Sequence, residues 1–400
     1  MEVAEVWRLL DERVKPLESE RIPLRDALGR VLAAEVKADA DQPPFDRSAM
    51  DGYAFFPAAG PAKYRVAGTI KAGEVAGCAL NPGEAMRIFT GAALPALNMA
   101  VLMQEEARVE GEWLLVDRRV EPGENVRRQG SDAQVGDVLL GAGKWLNPIA
   151  LAVLASVGEV QPLVKGAPRI AHATTGDEIV PPESKPRPGQ IRNSNQILIA
   201  SLLKQAGVPS ANIHQEHWGD DPARAAACLA AEPFASADMV LISGGASVGD
   251  HDYAARVLEE AGYELLVRKI NSRPGRPLLV GFRGRQIAFG LPGNPVSHFA
   301  CFHLFVRHAL TCLKDEAPPK WAAMKLTESL PQAANRRPTY WPANFKFQKG
   351  GPTLRALEWH NSGHLAALTQ ANAIIHVPAN TLELPAGALV DTLLTFPVFK

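Results

Sequence analysis

Cysteine is scarce in this chain. Cys78, Cys228, Cys301 and Cys312 are the only four in 400 residues, and none stands in a C-x-x-C pair or at a zinc-finger spacing. That excludes a disulfide framework and points to reduced, mostly buried thiols in a cytoplasmic protein. Long apolar runs are missing too. The longest, Ile149 to Val157, falls far short of the roughly 20 residues a membrane span needs, so no membrane partner is expected. A basic excess is also absent: 42 Lys and Arg face 43 Asp and Glu, a net charge of −1. A general nucleic-acid binder is therefore not expected, although a local basic pocket stays open. The opening Met1-Glu2-Val3-Ala4-Glu5 has neither a basic nor an apolar leader region, so no secretory signal is expected. There is no internal repeat and no low-complexity tract. No Ser-His-Asp or Cys-His order stands out, which argues against a protein nucleophile.

What remains is the composition of a globular protein, 46% apolar and 21% charged. Its length implies two to four domains. The first 35 or so residues read as helix. Val3, Val6, Trp7 and Leu10 form one apolar stripe, and Leu24, Leu28, Val31 and Leu32 repeat it. From Asp41 to Asp132, short β runs are cut by turns at Pro82-Gly83 and Pro122-Gly123. Helix returns at Asn147 to Val157, so the β region reads as an insertion into a helical domain. From Pro168 to about Leu313, strand and helix alternate, which implies a mainly parallel sheet with helices on both faces. The last 80 residues carry five further β segments. The resulting division is a helical, elongated domain (1–40 and 133–167), an inserted β domain (41–132), a three-layer α/β domain (168–316) and a C-terminal β-barrel-like domain (317–400).

The chemistry concentrates in the α/β stretch. Ser243-Gly244-Gly245-Ala246-Ser247-Val248-Gly249-Asp250-His251-Asp252-Tyr253 lies where the Met239–Ser243 strand hands over to a helix. Glycines at such a junction let backbone N–H groups close on an anion, and the helix start adds positive potential. Two carboxylates beside an anion require a cation such as Mg²⁺ between them. Thr174-Thr175-Gly176-Asp177-Glu178 ends another strand of the same domain. In Gly219-Asp220-Asp221-Pro222, one aspartate reads as a helix cap and the other as a metal or substrate ligand. Lys269-Ile270-Asn271-Ser272-Arg273-Pro274-Gly275-Arg276-Pro277 is a rigid turn with three cations, suited to an oxyanion because guanidinium forks pair bidentately with oxygens. Gly290-Leu291-Pro292-Gly293-Asn294-Pro295-Val296-Ser297 sets a helix start after a strand, either a plain cap or a second anion site. His298, His303 and His308 recur every five residues. They do not share a helix face and read as ordinary helix histidines rather than a metal set.

Five segments in this order resemble the MoeA family of molybdopterin molybdenumtransferases, related to the gephyrin E domain. They are Pro43–Ala54 (PPFDRSAMDGYA), Thr175–Ile179 (TGDEI), Ser243–Tyr253 (SGGASVGDHDY), Arg273–Pro277 (RPGRP) and Gly290–Ser297 (GLPGNPVS). The resemblance spans nearly the whole chain. It implies a four-domain, dimerising enzyme that takes adenylylated molybdopterin and molybdate and releases AMP with Mg²⁺. The site would lie between the α/β domain of one subunit and the β region of the other. Position by position, it implies that Asp51, Glu178, Asp220 and Asp252 are catalytic, with the last three holding Mg²⁺. Thr90, Asp132, Ser243, Gly244, Gly245, Ser247, Gly249 and Asp250 would bind substrate. Lys269, Arg273, Arg276, Ser297, Arg337 and Ser362 would bind molybdate. Molybdopterin adenylyltransferase and molybdoenzyme maturation proteins are the implied protein contacts. The chain departs from the family in having Arg273 and Arg276 where lysine is usual; arginine keeps the charge but cannot donate a proton at neutral pH. It also has Trp341 and Pro342 in a stretch that normally carries an acid and a further arginine. Two other functions remain in view: adenylyl transfer to molybdopterin, which the α/β domain alone would allow, and a peptide-binding scaffold of the gephyrin E type.

Overall fold

The computed structural model describes residues 1–74, 80–244, 251–331, 336–359, 361 and 363–395, with His251 and Asp252 described by their backbone alone. The chain divides into two compact units. One comprises Met1–Arg21, Gly29–Val31 and Leu163–Lys400; the other comprises Ile22–Leu28 and Leu32–Pro162. Among the described residues, no helix is long and apolar enough to cross a membrane.

The first unit is built on a six-stranded sheet. Its order is Ile213–His217, Ile170–Thr174, Met239–Ser243, Gln286–Leu291, Leu279–Arg283, Glu264–Val267. Parallel ladders join the first four strands, and Leu279–Arg283 is antiparallel to both its neighbours. Five of the six strands therefore run one way. Side chains alternate between two cores, as strand periodicity demands. Ile170, Met239, Leu241, Ile287 and Phe289 pack with Val3, Val6 and Leu10 of helix Val3–Arg13 and with Ile199, Leu202 and Leu203 of helix Ser194–Gln205. Ala171, Ala173, Val240 and Ile242 pack on the other side with Ala225 and Leu229 of helix Pro222–Ala230 and with Val257 and Leu258 of helix His251–Glu260. Each fully buried aliphatic or aromatic side chain contributes about 1.5–3 kcal/mol.

The N-terminal helix is shorter than its sequence pattern. It begins at a capping box between Glu2 and Glu5 and ends at Val14. Pro16 and Pro23 follow, and beyond them Leu24–Asp26 is a single 3₁₀ turn. Proline breaks the helix even though the spacing of Leu24, Leu28, Val31 and Leu32 would suit one.

The C-terminal part of this unit is a five-stranded antiparallel sheet in the order Trp321–Lys325, Leu389–Leu394, Ala373–Val377, Thr339–Gln348, Gly351–Ala356. No ladder joins the two end strands among the described residues, yet Thr327, just past Trp321–Lys325, donates its N–H to Leu354 O and accepts from Leu354 N through Oγ1, both at 2.9 Å. One tie links this sheet to the arginine turn: Arg273 N donates to Pro338 O at 2.9 Å, and Tyr340 N donates to Arg273 O at 2.7 Å.

The second unit holds a mixed six-stranded sheet in the order Ala100–Met103, Gly52–Phe55, Glu84–Ile88, Ala62–Ile70, Trp113–Val116, Arg108–Glu110. Tyr53 and Phe55 enter one core, and Ala54, Met86 and Ile88 the other. The expected helix is present as Pro148–Ser156, with the Asn147 side chain accepting from Ala150 N at 2.8 Å.

Candidate functional site

In the parallel part of the first sheet, Thr174 is in register with His217 on one side and Ser243 on the other, and Ser243 with Leu291. Four strand ends therefore release their loops at one edge, the edge where open α/β sheets bind ligands. The loops are Thr175-Gly176-Asp177-Glu178, Trp218-Gly219-Asp220, Gly244 and Pro292-Gly293-Asn294. Thr175, Gly176, Glu178, Asp220, Gly244, Pro292, Gly293 and Asn294 of these loops line a cavity of about 1510 Å³ together with Lys269, Arg273, Arg276, Ser297 and Arg337.

The acidic side is held by backbone geometry. Asp177 N donates to Asp220 Oδ2 at 3.2 Å, and Asp220 N donates to Asp177 Oδ1 at 3.1 Å. Gly219 lies between them in sequence at φ +68°, and a Cβ there would come within 2.7 Å of Asp177 Oδ1. Asp221 caps helix Pro222–Ala230 by accepting from Ala223 N and Arg224 N. Of the two aspartates, the second is thus the cap, and Asp220 lines the cavity beside Glu178. Gly244 sits at φ +103°, and a Cβ there would lie 2.8 Å from Thr175 Oγ1 and 2.9 Å from Thr175 O. This is a close backbone approach that only glycine permits.

The basic side comes from the turn and its attachment to the C-terminal sheet. Arg273 stacks its guanidinium 5.2 Å from the centroid of the Trp359 ring. Arg337 donates from Nη1 to Ser272 O at 3.0 Å. Its pKa is pushed down, first by partial burial and then by the like charges of Arg276 and Arg273. Crowded cations of this kind favour an anionic ligand. Ser297 lies buried in the first turn of helix Pro295–Cys301, and Asn294 holds the cap position without a side-chain cap bond.

Beneath the cavity runs a hydrogen-bond chain that sequence reasoning missed. Gln215 Nε2 donates to His172 Nδ1 at 2.7 Å, so His172 Nε2 donates to Ser243 Oγ, also at 2.7 Å. His298 Nδ1 lies 3.0 Å from the Pro292 carbonyl, which leaves its Nε2 to accept from Ser243 Oγ at 3.4 Å. Burial holds both rings neutral, with His172 lowered to about 3 and His298 to about 4. The Ser243 hydroxyl is therefore engaged within the sheet, and Ser243 is only 2% exposed. These residues sit on three different strands and a helix, and only the strand order brings them together.

Asp252 is the second residue of helix His251–Glu260, and its side chain lies outside the described residues, as do Gly245, Ser247, Gly249, Asp250 and Ser362. In the other unit, Asp51 Oδ1 accepts from Thr90 N at 2.7 Å and Thr90 Oγ1 at 2.6 Å. Those two bonds hold the Asp51 carboxyl below its ordinary value, with Arg87 adding to the effect. Asp132 pairs with Arg127, which likewise keeps it ionised. Further residues not singled out from sequence line the cavity, among them Asn195, Trp359 and Asn361. Asn195 carried a readable signal, because Asn193-Ser194-Asn195 opens a helix with Asn193 as its cap.

Three family models match the chain in sequence order. These are the MoeA N-terminal region (domain I and II) over residues 1–158, the probable molybdopterin binding domain over 171–311, and the MoeA C-terminal region (domain IV) over 323–395. A molybdopterin molybdenumtransferase from Nostoc is 33% identical, the match covering 96% of this chain and 90% of that protein. One from Bacillus subtilis is 32% identical, covering 94% and 90%. The crystal structure of a molybdopterin biosynthesis MoeA protein from Pyrococcus horikoshii superposes with a TM-score of 0.80 at 28% identity, covering 98% of this chain and 99% of that one. The chain belongs to the MoeA family of molybdopterin molybdenumtransferases.

Proposed function

We propose that this protein acts in molybdenum cofactor biosynthesis as a molybdopterin molybdenumtransferase, inserting molybdate into adenylylated molybdopterin with Mg²⁺-dependent release of AMP. The observation that carries the reading is one cavity with an acidic wall, Glu178 and Asp220, and a basic wall, Lys269, Arg273, Arg276 and Arg337. A pyrophosphate-bridged substrate and a tetrahedral oxyanion together need both.

Mg²⁺ takes hard oxygen ligands, and the Glu178 and Asp220 carboxylates supply them, with Asp252 as the third candidate. Bound there, the ion would neutralise charge on the pyrophosphate oxygens. Gly176 and Gly244, at φ +116° and +103°, bring backbone close to the phosphates. Lys269, Arg273, Arg276 and Arg337 hold the anionic oxygens in place. Ser297 and Ser362 add hydroxyl donors for molybdate. Asp51, Thr90 and Asp132 are substrate-site residues on the β region, in a site completed between two copies of the chain in a homodimer.

The same reading divides the chain into four parts, 1–40 with 133–167, 41–132, 168–316 as a three-layer α/β domain, and 317–400. It places the enzyme in the cytoplasm, in contact with molybdopterin adenylyltransferase and molybdoenzyme maturation proteins. The MoeA regions flanking the molybdopterin-binding domain favour this reading over adenylyl transfer.

Incubating the protein with adenylylated molybdopterin, molybdate and Mg²⁺ tests it. AMP should appear only when all three are present. Binding of the adenylylated substrate without AMP release would sink the proposal.

A further inference from the structure

On the far side of the sheet-packing helices, three unlike donor atoms converge. His308 and Cys312 are four residues apart on helix Arg307–Lys314, hence on one face. That face meets Asp11 on helix Val3–Arg13. His308 Nε2 lies 2.7 Å from Asp11 Oδ1, and Cys312 Sγ lies 3.6 Å from the same oxygen. All three atoms are within 4.8 Å of one another. Zinc bonds of about 2.0–2.3 Å to nitrogen, oxygen and sulfur in a tetrahedron put neighbouring ligand atoms roughly 3.3–3.7 Å apart. The Cys312–Asp11 separation already falls in that range, and the His308–Asp11 contact must open by about 0.6 Å to accept such an ion.

From this geometry we infer that Asp11, His308 and Cys312 form a binding site for a divalent, tetrahedral transition-metal ion of the zinc type. The set mixes nitrogen, sulfur and carboxylate oxygen, which suits zinc and not magnesium. The imidazole is fixed in orientation. Trp7 stacks on it at 6.2 Å and 12°, and Trp7 is itself anchored by its Nε1 donating to Leu304 O at 2.7 Å. Cys312 is in the last turn of its helix, where the carbonyl end favours a cation. Asp11 is largely exposed, which gives the ion an entry path and leaves a fourth position to water. Binding replaces the S–H bond of Cys312 with a sulfur–metal bond and releases that proton to solvent. The ion would clip the N-terminal helix to helix Arg307–Lys314, independently of the chemistry at the sheet edge.

Cobalt(II) is the probe, because it takes the same geometry and is coloured. Titrating the full chain with Co²⁺ should give visible d–d bands and a near-ultraviolet sulfur-to-metal charge-transfer band, the latter saturating at one equivalent per chain and bleached by Zn²⁺. Cys312→Ser should abolish the charge-transfer band and weaken Zn²⁺ binding ~10-fold or more, and Cys228→Ser should leave both unchanged. Should Cys312→Ser fail to fold by circular dichroism, Asp11→Asn and His308→Gln decide, each weakening binding to a similar degree. A wild-type titration without the charge-transfer band, or a band that survives Cys312→Ser, overturns the site. So does a thermal midpoint that Zn²⁺ leaves unmoved while Asp11→Asn lowers it, since Asp11 and His308 would then be a plain hydrogen-bonded clamp between helices.

Discussion

Asp177 and Asp220 leave neighbouring strands, and the carboxylate of each accepts from the backbone N–H of the other, at 3.2 and 3.1 Å. This reciprocal pair fixes the loop that presents Asp220 to the cavity. Asp220→Asn keeps an oxygen acceptor for Asp177 N and removes the charge. We expect the variant to fold normally, with an unchanged melting curve. Its Mg²⁺-dependent turnover should fall ~100-fold or more, the scale for losing one placed electrostatic group. Turnover within threefold of wild type would remove Asp220 from the site.

Gly244→Ala forces a Cβ onto Thr175 O at a φ of +103°. Strain of this kind costs about 1–3 kcal/mol, readable as a lower urea midpoint. Gly350→Ala is the control, because a Cβ there meets nothing within 4 Å; its midpoint should stay within about 0.5 kcal/mol of wild type. Equal effects at the two positions would contradict the close approach.

Stability should fall on mild acidification. His172 and His298 titrate at about 3 and about 4 in the folded protein, against 6.5 for an unperturbed ring. Between about pH 6.5 and pH 4 the unfolded chain therefore binds protons that the folded chain refuses, so unfolding becomes easier as pH drops. Each ring contributes a slope of about 1.4 kcal/mol per pH unit within that window. Below about pH 4 the folded His298 ring protonates too, and below about pH 3 the folded His172 ring, so their contributions level off in turn. His172→Gln should make the urea-midpoint profile shallower by about one proton's worth. An unchanged slope would show that His172 is not buried neutral.

The strand ends were legible because glycine and proline mark them: Gly176, Gly219, Gly244 and Pro292 each follow a strand that the alternating pattern foretells. Composition could not say which of Asp220 and Asp221 would cap the helix, since either carboxylate has the right chemistry and only the chain's exit angle selects. The Gln215–His172–Ser243–His298 chain was illegible for a different reason. Its members are up to 126 residues apart in sequence, and strand order alone makes them neighbours. The N-terminal helix was overread because Leu24, Leu28, Val31 and Leu32 keep helical spacing across Pro23 and Gly29. Their five-residue spacing keeps the histidines at 298, 303 and 308 off a common helix face, and it gives no sign that His308 meets Asp11 and Cys312 through tertiary packing.

Like charge around Arg337 should make anion binding at the basic wall cooperative with its presence. Arg337→Gln should weaken molybdate binding ~10–100-fold, the equivalent of about 1.5–3 kcal/mol for a charged hydrogen bond. Isothermal titration with molybdate measures this directly. An unaltered affinity would place the oxyanion elsewhere.

The central claim is that acidic and basic walls of one cavity act together on adenylylated molybdopterin. Single-turnover release of AMP from that substrate, measured with and without molybdate and with and without Mg²⁺, tests it most directly. The account predicts AMP only when molybdate and Mg²⁺ are both present, and its loss in Asp220→Asn. Release that ignores molybdate, or that survives chelation of the metal, would contradict it.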